Sequence, residues 1–186
     1  MSEARPGSSS LPARQGAPRV FISSTSEDLE PYRAKASAAA NAAGLLPIMM
    51  EYFTASGARP PLAACLAKVD ECDVLVVIVA HRYGWKPKGG RGKSVTWLEC
   101  LKAVDAGQEV LAFLVDDQCD WPPELRDSHR IGTVVPIASA TPQLLAEAQS
   151  DTAKLGQFKE WLNGRGIRVR FSNPDDLRGK VESACG

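Results

Sequence analysis

Five cations, Arg82, Lys86, Lys88, Arg91 and Lys93, fall within 12 residues that contain no acid, with Tyr83 and Trp85 interleaved. Guanidinium and ammonium groups hold phosphate oxygens, and aromatic rings stack on bases. Gly89, Gly90 and Gly92 give the same stretch freedom to close on a ligand. A solvated loop with its aromatic rings tucked against a sheet edge would use the same residues. Glu99 follows shortly after. A carboxylate beside a sugar stabilises the oxocarbenium-like state through which a glycosidic bond breaks. Glu99 also has a plainer reading, because Thr96-Trp97-Leu98-Glu99 matches a capping box in which the glutamate reaches back to the cap residue. In the alternative, Ser94 is the cap and Glu99 stands one turn into the helix, facing a cleft.

These side chains need a frame. Residues 74–80 are seven apolar residues, mostly β-branched, as in a strand buried on both faces of a parallel sheet. His81 to Lys93 then lie beyond its carboxyl end, where open α/β sheets bind ligands. Residues 19–23 are a first strand, followed by the hydroxyls of Ser23, Ser24, Thr25 and Ser26. Those hydroxyls either line a ligand site, or Ser26 or Asp28 caps the next helix; both can hold together.

Residues 29–43 read as an alanine-rich helix ended by Gly44, and 45–50 as a second strand. After a loop over 51–59, Pro60-Pro61 opens a helix with a buried stripe of Leu62, Cys65, Leu66, Val69 and Cys72. A helix over 95–106 and a strand over 110–115 come next, with Asp116 and Asp117 at the strand's end. Acids there bind a metal or ribose in some proteins, and more often end a strand in solvent. Residues 118–139 are irregular, with a short apolar piece at 134–137. Thr141-Pro142 opens a helix to about Leu162 with a break near Gly156. An edge-like strand over 167–171 and a helix from Asn173 to about Ala184 complete the chain. Five strands alternating with helices give a three-layer α/β sandwich around a five-stranded parallel sheet, with the flavodoxin-like order 2-1-3-4-5. Residues 1–18, rich in Ser, Pro, Ala and Gly, are expected to be a disordered tail, and 19–186 a single domain.

Lys and Arg number 22, as do Asp and Glu, so no global field attracts nucleic acid or an anionic membrane. No segment reaches the roughly 20 apolar residues of a membrane-spanning helix. The five cysteines include no CxxC pair, and Cys65, Cys72 and Cys100 fall at apolar helix positions. We read them as reduced core residues of a cytoplasmic protein, with no metal site. The chain has no GxxxxGK[ST], GxGxxG or GxSxG. Ser23-Ser24-Thr25 and His81 stand where a phosphoacceptor receiver would need acids.

Residues 20–29, Val-Phe-Ile-Ser-Ser-Thr-Ser-Glu-Asp-Leu, resemble the opening of the TIR-like domains at the N-terminus of STAND-type (NACHT, NB-ARC-like) ATPases. The resemblance continues through Cys72-Asp73-Val74, His81-Arg82-Tyr83-Gly84 and Ser94-Val95-Thr96-Trp97-Leu98-Glu99 to Phe171 and Asp176-Leu177. It implies a flavodoxin-like TIR fold and a signalling or immune effector that cleaves NAD at the nicotinamide–ribose bond on assembly. Glu99 would then be catalytic. Ser23, Ser24, Thr25, His81, Arg82, Tyr83, Trp85 and Ser94 would contact the substrate. NAD is substrate here, and no cofactor is implied. The partners implied are further copies of the domain or a STAND ATPase module. Trp97 lies two residues before Glu99, whereas enzymatic TIR domains place a Trp-Cys pair several residues before their glutamate. The rival functions are a non-catalytic adaptor and a nucleoside deoxyribosyltransferase-like enzyme.

Overall fold

Strings of β-branched residues extend, and alanine- and leucine-rich stretches between them coil, which fixes the alternation of this chain. The computed structural model describes residues 16–50, 61–129, 142–165 and 168–186. The strands are β1 (Arg19–Ser24), β2 (Leu46–Ile48), β3 (Val74–Val79), β4 (Glu109–Val115) and β5 (Arg168–Phe171). The helices are α1 (Glu30–Ala42), α2 (Leu62–Asp70), α3 (Val95–Asp105), α4 (Pro142–Asn163) and α5 (Pro174–Cys185). All pairings are parallel, in the order β2-β1-β3-β4-β5. This is the flavodoxin-like three-layer sandwich.

The sheet is buried on both faces because β3, and the middles of β1 and β4 beside it, are apolar at successive positions, not at alternate ones. Val20, Ile22, Val76, Ile78, Leu111 and Phe113 pack under α1 and α5. Phe21, Leu75, Val77, Val79, Ala112 and Leu114 pack under the helices of the other face, with Val69, Cys100 and Phe158. Ser23 follows Phe21 by two residues and therefore points to that second face.

Three local expectations are corrected. Neither Ser26 nor Asp28 caps α1: Leu29 holds the cap position without a side-chain bond. Asp28 instead accepts a 2.5 Å hydrogen bond from the Thr25 hydroxyl. β2 is three residues long, not six. Pro47 at its centre offers no N–H, which suits a short edge strand. α4 runs unbroken through Gly156. A helical glycine costs about 1 kcal/mol, and the buried Leu155, Phe158 and Leu162 on one face offset it. The readings for the tail over 1–15, the loop over 51–59, the apolar piece at 134–137, the Thr141 cap and Ile167 lie outside the described residues.

Candidate functional site at the carboxyl edge of the sheet

β1 ends in Ser23 and Ser24, and β3 runs one register step beside it, with Ser23 opposite Val77. α3 returns from the loop after β3. Its cap is Ser94, whose backbone is extended and whose hydroxyl accepts the Trp97 N–H at 3.3 Å. Thr96 is therefore inside the helix, and the capping box does not form. Ser94 and Thr96 are both buried. Glu99 falls one turn further in, 3% exposed, and accepts a hydrogen bond from the Ser23 hydroxyl. The two residues are 76 apart in the chain, and the crossover from β1 to α3 brings them together.

The carboxylate makes itself felt nearby. Burial first, then the Glu99 charge, pushes the Cys65 thiol up to about 11. The same two causes hold Cys100 well above its ordinary range. Both thiols are free and stay protonated, so they are packing residues and not nucleophiles.

The loop after β3 is folded on itself. Gly90 N–H donates to Pro87 O at 3.1 Å, Lys93 N–H to Gly90 O at 2.9 Å, and Val95 N–H to the Trp85 carbonyl at 2.9 Å. Tyr83 is 1% exposed. Its ring meets Trp97 edge-on at 6.3 Å and its hydroxyl donates to Gly92 O at 3.3 Å. The ring face that would stack on a base is thus covered. Trp97 stacks in turn on Phe158 at 5.2 Å, with the Lys93 ammonium 5.2 Å above it. Trp85 is half-buried.

Several polar groups of this edge bind each other. Arg82 pairs with Glu27 at 2.6 Å and lies 3.9 Å from Asp127. Asp127 accepts the Tyr83 N–H at 2.6 Å, which ties the 121–129 segment to the loop. Lys86 pairs with Asp151 of α4 at 2.5 Å. Ser24 donates to its neighbour's carbonyl, Thr25 O, at 3.0 Å, and that carbonyl also takes an Arg33 N–H at 2.8 Å. Gly84, at φ +87°, brings the β3 loop against Thr25: a Cβ there would stand 2.8 Å from the Thr25 methyl.

His81 lies apart from Glu99. It meets Trp121 edge-on at 5.6 Å, and Trp121 belongs to the core under α1 and α5. Its Nε2 is buried with no hydrogen-bond partner. Burial, then the charges of Lys159 and Arg126, lower its pKa to about 4.

A family model described as Domain of unknown function (DUF4062) matches residues 19–186. The chain belongs to that family. No curated protein matches it. Among solved structures, a diflavin flavoprotein A3 from Nostoc sp. aligns over 92% of this chain and 90% of its own, at 14% identity and a TM-score of 0.42. At that score the likeness says nothing of ligands.

In this DUF4062 domain the sheet edge brings Ser23 and Glu99 into direct contact, Ser94 caps the helix that carries Glu99, and Thr96 is buried in that helix's first turn. The fold places Tyr83 in the core and His81 against the opposite face. Asp127 and Asp151 organise the edge, and sequence reasoning passed over both. Neither carries a local signal, since each acts on a residue at least 44 positions away. Asp116 and Asp117 stand at the end of β4: Asp116 receives the Gln118 N–H, and Asp117 pairs with Arg170. Among the described residues no three His, Cys, Asp or Glu side chains gather as metal ligands, and no helix is long and apolar enough to cross a membrane. Chemically, the arrangement offers one buried carboxylate held by a serine hydroxyl.

Proposed function

We propose that this DUF4062 domain is a TIR-like effector module that cleaves the nicotinamide–ribose bond of NAD. The observation that supports this is the Glu99 carboxylate, held by the Ser23 hydroxyl at the carboxyl end of β1 and β3. As the C–N bond breaks, its electron pair leaves with nicotinamide, a neutral amine that needs no general acid. The ribosyl group becomes an oxocarbenium ion. Glu99 stabilises that cation more strongly in a water-poor site than it would in water. Water then adds to the anomeric carbon and releases a proton. Ser23 orients the carboxylate, and a ribose hydroxyl takes over that hydrogen bond when substrate arrives. The TIR-like and STAND-associated reading rests on the motifs at 20–29 and 94–99.

A second reading, a non-catalytic adaptor, is favoured by a different observation. Arg82 and Lys86 are paired within the fold, to Glu27 and Asp151, so fewer cations face a phosphate. A fluorescent NAD analogue, assayed on concentrated protein and on a forced oligomer, separates the two. We expect turnover that assembly raises and that Glu99→Gln reduces about a hundredfold or more, in line with losing one preorganised electrostatic group. Turnover that survives Glu99→Gln rejects the assignment of Glu99, and its absence in both preparations supports the adaptor. A parallel nucleoside-hydrolysis assay reads out the deoxyribosyltransferase-like alternative.

A further inference from the structure

An edge strand covered by a helix normally shows that helix apolar side chains. β5 does not. Its residues 168 and 170 share a face with Ala112 and Leu114, their register partners on β4. Those partners belong to the apolar core, whereas Arg168 and Arg170 are exposed. Between the two arginines lies a cleft of about 410 Å³, lined by Leu114, Arg168, Val169 and Arg170. Arg168 is anchored at one end by Asn163 of α4, through a 2.5 Å hydrogen bond. Arg170 is anchored at the other by the Val115 carbonyl and by Asp117, each at 3.0 Å. Lys159 of α4 stands 3.9 Å from the same Asp117.

Arg170 and Lys159 therefore share Asp117, a carboxylate itself largely in solvent, while Arg168 is held by an uncharged amide. Burial, together with the charges of Arg170 and Arg126, lowers the Lys159 pKa even against the pull of Asp117. Guanidinium forks match phosphate oxygens two at a time, and Leu114 lines the cleft on the same face as the two arginines.

We propose that this cleft binds a small phosphate ester, its phosphate held by Arg168 and Arg170 and displacing Asp117 from Arg170. The site lies at β4 and β5, whereas Glu99 meets β1, so the proposal does not depend on NAD cleavage.

Calorimetric titration of the full chain with ribose 5-phosphate tests it, with ribose as the uncharged control. We expect saturable binding of the phosphate ester and none of ribose. Loss of two charge-assisted contacts in Arg168→Gln/Arg170→Gln weakens binding about tenfold or more. Asp117→Asn, which frees Arg170 and Lys159, tightens it severalfold, a gain that misfolding cannot mimic. Glu99→Gln leaves it unchanged. Absence of saturable binding, or an affinity indifferent to either the arginine pair or Asp117, overturns the proposal.

Discussion

Replacing Ser23 by alanine removes one hydroxyl and tests how Glu99 is held. Ser23 is 2% exposed and Glu99 3%, so water cannot readily replace the lost donor. A hydrogen bond to a charged group contributes about 1.5–3 kcal/mol net. Ser23→Ala should therefore cost about 2–3 kcal/mol. For a chain of this length that is a fall of about 4–12 °C in Tm. In a Glu99→Gln background the bond is neutral to neutral and contributes only about 1 kcal/mol. The two substitutions should then be non-additive by about 1–2 kcal/mol, as residues in direct contact are. Urea unfolding of the wild type, both single variants and the double variant measures that coupling. Strict additivity, within about 0.3 kcal/mol, would refute the argument, since it would mean that the hydroxyl does not sense the carboxylate's charge.

Gly84→Ala should destabilise by about 1–3 kcal/mol, because a side chain at a strained backbone position adds to a contact with the Thr25 methyl. Adding Thr25→Ser removes that methyl and should restore the steric part only, as thermal melts of the three variants would show. His81, with its pKa lowered to about 4, binds its proton in the unfolded chain before the folded one. Stability tied to His81 is thus present above pH 6.5, its ordinary value, and is lost as pH falls towards 4. Asp28, raised by burial, acts in the opposite sense, so the comparison must be differential. His81→Phe keeps an aromatic ring against Trp121 and should abolish the wild type's loss over that window in pH-dependent unfolding; parallel curves would refute it.

Most of the sheet was legible because its strands are runs of β-branched residues separated by crossover-length segments. That pattern leaves few topologies open. The ends were less legible where tertiary context decides them, as at β2, shortened around Pro47. The address of Glu99 could be read, but its neighbour could not. Ser94 and Thr96 are both competent caps two residues apart, and only the extended backbone of Ser94 selects it. Tyr83 looked like a stacking platform because its sequence neighbours are polar. Its cover, Trp97 and the helix bearing Phe158, comes from 14 and 75 residues further on. The acids that pair with Arg82 and Lys86 were hidden for the same reason. A local window shows a cation but not the carboxylate that the fold delivers to it.

Ser23 and Glu99 both sit on regular elements, one at a strand end and one within a helix. The distance between them is set by how β1, β3 and α3 pack, not by the shape of any connecting loop. Loop length and composition can drift without moving the two oxygen-bearing groups, while a change in helix-to-sheet spacing would separate them. Variation in this molecule should therefore be cheap in its connections and costly in the layer of small residues, Cys100 and Ala103, that seats α3 on the sheet.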